Sequence, residues 1–257
     1  MAERNDPINP EMLTIARESR GFTQAELSAR AQVTQGQISK IESGAAQPSA
    51  EVLSALAHAL AYPESFFRQN GRMYGPSISE FFHRKKASVS VRALDKIHAQ
   101  INIRRLQIGH LLRSWELEEK MPRFDVEDFG GDPEEVARAV RAQWGLPRGP
   151  VKDVVGVIED AGGVVIRLRF DTNLVDAVSW WVPGGPPLFI VNDTLPADRE
   201  RLSLVHELGH VVMHDSIRPD MEGEANRFAA AFLMPAEDIR SQLDHVSMHS
   251  LAGLKGH

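Results

Sequence analysis

Cysteine is absent from the 257 residues, which removes disulfides, thiolate metal sites and thiol nucleophiles together. A metal site in this chain has to draw on histidine and carboxylate. Long apolar runs are missing too. No stretch approaches the roughly 20 residues of a membrane helix, and the opening MAERNDPINPEM lacks the apolar core of a signal peptide. A soluble, cytoplasmic protein without a membrane partner is expected. Disorder and collagen-like repetition are excluded by a composition that is 42% hydrophobic and 25% charged. No internal repeat or low-complexity tract breaks the chain.

An overall surplus of positive charge is also lacking, since the net charge is -6. Dividing it along the chain changes the picture. Residues 1–70 carry 6 basic and 8 acidic side chains, residues 71–120 carry 10 and 5, and residues 121–257 carry 13 and 22. These shifts coincide with changes in pattern. They predict an all-helical N-terminal domain over 1–70, a basic helical linker over 71–125, and a C-terminal domain over 126–257.

The N-terminal stretch reads as short helices between turn signals. Pro10 opens one that ends near Arg20 at Gly21. Thr23 and Glu26 form a capping box for Gln24–Ala31, Thr34 caps a helix through Glu42 that Gly44 stops, and Ser49 caps a fourth. The string TQAELSARAQVTQGQISKIESG over Thr23–Gly44 resembles the helix-turn-helix of the XRE/Cro family of repressors, a likeness extending over about residues 8–67. Ala25, Leu27, Ala29, Val33, Ile38 and Ile41 are expected to form the wedge between its two helices. The outward face of the second helix is then Thr34, Gln35, Gln37, Ser39 and Lys40. Gln can pair with an adenine edge and Lys can reach guanine or phosphate. Gln24, at a helix start, is placed to hold a phosphate. The resemblance implies binding of double-stranded operator DNA. A homodimer is expected, because two recognition helices offset the weak local charge.

The linker contains RKK at 84–86 and a helical stripe of Val91, Leu94, Ile97, Ile101, Ile108, Leu112 and Trp115. Its apolar face requires a partner, and the expected one is either the C-terminal domain or a dimer seam. The basic face can add contacts to the DNA backbone.

From Asp132 the pattern becomes mixed. Helices are predicted from Asp132 to about Trp144 and from Pro150 to Ala161, strands at VVIRLRF, Ala177–Val182 and Leu188–Val191, and a helix from Asp198 through His214. That last helix contains His206-Glu207-Leu208-Gly209-His210, an H-E-x-x-H pattern. Two residues four apart on a helix share a face, so both imidazoles can converge on one zinc ion, with Glu207 beside them as a general base. A third ligand is needed, and the next helix, MEGEANRFAAAFLMP, offers Glu222, with Asn226 one turn on to orient a liganding imidazole. Glu224 points about 200° from Glu222 on a helical wheel and is set aside. His214 is a rival ligand, but one further turn carries it away from the pair, and a packing or pocket role suits it better. Two histidines and a carboxylate also accept manganese or iron.

HELGHVVMH followed by MEGEANRFAAAFLMP resembles the ImmA/IrrE family of zinc-dependent metallopeptidases over about residues 132–243. The resemblance implies a zincin-like fold of gluzincin type, a small sheet leading into the HExxH helix, and an α+β chain overall. It also implies His206, His210 and Glu222 as ligands of one Zn2+ and Glu207 as the catalytic glutamate. The expected function is a DNA-binding regulator whose peptidase cuts a repressor or its own linker between residues 68 and 90. One alternative is a repressor with a non-catalytic metal sensor or dimerisation platform. Another is a protease whose N-terminal bundle binds protein.

Overall fold

The computed structural model describes residues 7–71, 73–75, 89–112, 120–182 and 184–243. The chain forms two compact units, residues 1–76 with 87–113, and residues 77–86 with 114–257. The predicted RKK and Trp115 lie outside the described residues. Among the described residues, no helix is long and apolar enough to cross a membrane.

The N-terminal unit contains α1 (Pro10–Ser19), α2 (Gln24–Ala31), α3 (Gln35–Glu42) and α4 (Ala50–Leu60), then a single 3-10 turn over Glu64–Arg68 and the long α5 (Val91–Leu111). Side-chain caps start the helices. Thr23 with Glu26, and Thr34 with Gln37, satisfy both N-terminal donors of a capping box. Asn9 and Ser49 accept the first backbone N–H groups of α1 and α4. Leu27, Ala31, Val33, Ile38 and Ile41 are buried between α2, α3 and α4. Ala25 and Ala29, expected in that wedge, are exposed instead. The buried stripe of α2 runs through Leu27 and Ala31, four apart, and Ala25 and Ala29 fall on its other side.

The partner of α5 corrects the reading of the linker. A second face of the helix, through Ala99, Ile103 and Leu106, joins the core of the N-terminal bundle, and α5 packs along α1. The helix is buried along two stripes, Leu94-Ile97-Ile101, which belongs to the predicted apolar face, and Ala99-Ile103-Leu106, which lies beside it. Polar ties add direction. Arg92 donates to the Gly21 carbonyl at 2.6 Å and to both carboxylate oxygens of Glu26 at 2.9 Å. The fully buried Asn102 accepts the Tyr74 N–H at 3.3 Å. The bond to Asn102 satisfies an amide that would otherwise be buried at a cost.

The C-terminal unit runs from a 3-10 turn (Val126–Phe129) through α6 (Pro133–Gln143), α7 (Val154–Asp160), β1 (Val164–Leu168), β2 (Ala177–Trp180), β3 (Leu188–Asn192), α8 (Ala197–Met213), α9 (Met221–Leu233) and α10 (Ala236–Leu243). The whole is α+β, with a sheet in the order β1-β3-β2. β1 is parallel and β2 antiparallel to β3. The central strand is buried at every position, which explains its unbroken apolar run. The second predicted helix is shorter than expected: Asp153 caps it by accepting the Gly156 N–H, so 150–153 stay outside.

α8 lies on β2 and β3 and packs against α9. The two helices approach closely at Gly209, where a Cβ would stand 3.1 Å from a Phe228 ring carbon and 3.3 Å from the Ala225 Cα. Gly209→Val forces this contact apart. The expected cost is about 2 kcal/mol of stability, read from denaturant unfolding of the C-terminal transition. An unchanged midpoint would show that the helices can separate freely.

Candidate metal centre and nucleic-acid face

Two turns of α8 and the first turn of α9 bring three predicted side chains together. Nε2 of His206 and Nε2 of His210 stand 3.1 Å apart, and Glu222 Oε1 lies 3.3 Å from the second and 3.9 Å from the first. One ligand atom from each falls within 4.8 Å of the other two. With metal–nitrogen and metal–oxygen bonds near 2.0–2.2 Å, neighbouring corners of a tetrahedral zinc site sit roughly 3.4 Å apart. The three observed edges bracket that value, so the donor set fits such an ion without rearrangement of the helices.

The electrostatics of the cluster follow from this convergence. Hydrogen bonds from His206 and His210 hold the Glu222 carboxyl well below the usual range. Burial opposes a charge on His206, but its bond to Glu222 and the nearby carboxylate charges outweigh that, raising its pKa. His214 is pushed down to about 3 by burial first and then by the neighbouring charge of His210.

Glu207 is buried at 3% exposure, and its Oε2 accepts the Ser179 N–H of β2 at 2.8 Å. With His206 and Glu222 it lines a cavity of about 330 Å³ that also includes Asp176, Arg199 and Ser203. Arg199 donates to Asp176 at 2.6 Å across this wall. Asn226 Oδ1 is 3.0 Å from Nδ1 of His206. His214 stands on the far side of His210, its Nδ1 2.9 Å from the His210 Nδ1, and its Nε2 meets Glu224 Oε2 at 2.9 Å. Glu224, set aside on angular grounds, does point away from the cluster. It ends on His214. Ser179, Asp176, Arg199 and Glu224 carry no local motif, and only the fold brings them to the site.

Two family models match the chain. The IrrE N-terminal-like domain of the M78 peptidases matches residues 158–252, and a helix-turn-helix family matches residues 13–67. The chain joins an XRE-type helix-turn-helix domain to an ImmA/IrrE-like peptidase domain. No curated protein and no solved structure matches it. The M78 family is generally zinc-dependent, in keeping with the donor set of the ImmA/IrrE-like domain.

In the XRE-type domain, Thr34, Gln35, Gln37, Ser39 and Lys40 all lie exposed along α3. They are not equally available. Gln37 Oε1 accepts from both the Thr34 N–H and the Thr34 hydroxyl within the capping box, at 3.3 and 3.0 Å. Gln24 is half-buried and donates through Nε2 to Glu42 Oε2 at 2.8 Å, on the same carboxylate that Arg17 Nε holds at 2.6 Å. The side chain expected to hold a phosphate is thus tied to a buried ion pair.

Proposed function

We propose that this protein is a cytoplasmic transcriptional regulator that binds operator DNA as a homodimer and hydrolyses a peptide bond, in a repressor or in itself, at a single zinc held by His206, His210 and Glu222. The observation that carries this reading is the convergence of three ligand atoms from two helices within 4.8 Å, with Glu207 on the same cavity wall. A zinc ion bound there supplies Lewis acidity, acidifying water and polarising a carbonyl. Glu207 takes the proton of the attacking water on the carboxylate oxygen not held by Ser179, and later delivers it to the leaving amine nitrogen. The Ser179 N–H fixes this carboxylate so that its second oxygen faces the cavity. Asn226 holds the His206 ring by its Nδ1 edge. Apolar α8 residues such as Leu204, Leu208 and Val212, all fully buried or nearly so, keep water from the back of the site. The test is to incubate the purified chain with zinc, alone and with candidate repressors, and to analyse fragments by intact mass. Discrete zinc-dependent fragments support the reading, and none from any repressor or from the chain itself would overturn it.

On the DNA side, Gln35, Ser39 and Lys40 are the proposed contacts, with Thr34 and Gln37 shaping the helix start. Gln35→Ala is expected to weaken a selected operator by about 1–3 kcal/mol and relax preference at one base pair. Lys40→Ala is expected to lower affinity across sequences and to reduce the salt slope by about 1. Titrations at several salt concentrations separate the two. Equal losses on all sequences from Gln35→Ala would remove it as a base reader.

A further inference from the structure

Resting on the reading of His206, His210 and Glu222 as ligands, we propose that His214 and Glu224 form a positioning relay that presets His210 for the metal. Glu224 fixes the tautomer of His214, and His214 fixes the tautomer of His210. The assignment follows from counting protons along two short contacts. His214 Nε2 lies 2.9 Å from Glu224 Oε2, and an ionised carboxylate can only accept, so the proton of His214 resides on Nε2. A neutral imidazole has one N–H. Nδ1 of His214 is therefore an acceptor, and it faces His210 Nδ1 at 2.9 Å, so His210 donates from Nδ1. In the neutral, metal-binding form of His210 the lone pair is then on Nε2, the atom 3.3 Å from Glu222 and 3.1 Å from His206 Nε2. The opposite order would put a proton on Nε2 and obstruct the cation.

The far end of the relay is anchored. Arg218 Nη2 donates to the same Glu224 oxygen at 3.1 Å, and the Arg218 guanidinium lies 4.0 Å from Asp125. This keeps Glu224 an acceptor. The His214 side chain is fully buried, so no solvent competes for its ring nitrogens. Asn226 Oδ1 does for His206 what His214 does for His210, at 3.0 Å. α9 thus serves the centre on two sides of its first turn: Glu222 toward the ion, Glu224 toward the buried back of the second imidazole. Partners of this kind commonly change metal affinity by 10–100-fold.

The experiment has two readouts on the full-length protein. Two-bond proton–nitrogen correlation spectra of the labelled, zinc-free wild type report the tautomers, with protons expected on Nε2 of His214 and Nδ1 of His210. Chelator competition then reports zinc affinity. A 10–100-fold loss is expected for His214→Leu, with recovery in His214→Gln, whose amide oxygen can accept the same proton. A proton on Nδ1 of His214 in the wild type overturns the relay, and so does unchanged affinity in a His214→Leu protein that melts like the wild type. If the variants do not fold, the wild-type tautomers decide. A wild type that shows the relay tautomers but takes up no zinc overturns the ligand assignment instead.

Discussion

Replacing Glu207 by Gln is expected to slow peptide hydrolysis about 10²–10⁴-fold while leaving zinc uptake as it is in the wild type. The two side chains have the same shape. Gln can still present an oxygen to the Ser179 N–H, which now reaches Glu207 Oε2 at 2.8 Å, so the strand-to-helix contact survives. What disappears is basicity at an atom beside the cavity, and with it the acceptor for the proton of water. Turnover of a cleaved repressor or of the chain itself, followed alongside metal content, checks this. A Glu207→Gln protein that cuts at the wild-type rate would remove Glu207 as the base of the reaction.

The second large effect concerns the ion. His206→Ala deletes a corner of the cluster whose edges are 3.1, 3.3 and 3.9 Å. Zinc content is expected to fall from one equivalent to a small fraction of it. For the wild type, zinc at a thousand times its dissociation constant stabilises the C-terminal transition by about 4 kcal/mol, and a chelator reverses the gain. His206→Ala should show neither effect. The wild-type effect also depends on pH. Imidazoles bind metal as neutral ligands, and the raised pKa of His206 in the metal-free protein makes protons stronger competitors there than at a free histidine. Zinc stabilisation is therefore full well above the imidazole range and is lost as pH falls through it. Thermal unfolding with and without zinc across that range measures it. Equal zinc stabilisation of wild type and His206→Ala would exclude His206 from the site.

Much of this geometry was legible in the sequence, for identifiable reasons. Caps such as Thr23, Thr34, Ser49 and Asp132 are local signals, and all start the helices predicted from them. The converging His206, His210 and Glu222 were legible because helical spacing dictates direction. What escaped was non-local. Ala25 and Ala29 share the small size of the buried Ala31, so size alone could not say which face turned inward. The partner of α5 depended on a second apolar stripe running beside the first. Glu224 was judged by its angle to Glu222, and that angle was right, but its link to His214 requires knowing where α8 ends relative to α9. Ser179 reaches Glu207 only because β2 forms the edge of the sheet nearest α8.

The seating of α5 on α1 alters what self-processing can accomplish. Scission between residues 68 and 90 was the expected route to a released DNA reader, but Ala99, Ile103 and Leu106 lie in the same core as Met12 and Leu13. Such a nick would divide one folded body into two chains that stay clasped, much as fragments of a complemented protein do. A break that leaves α5 on its own bundle falls beyond Leu111, where the helix has ended.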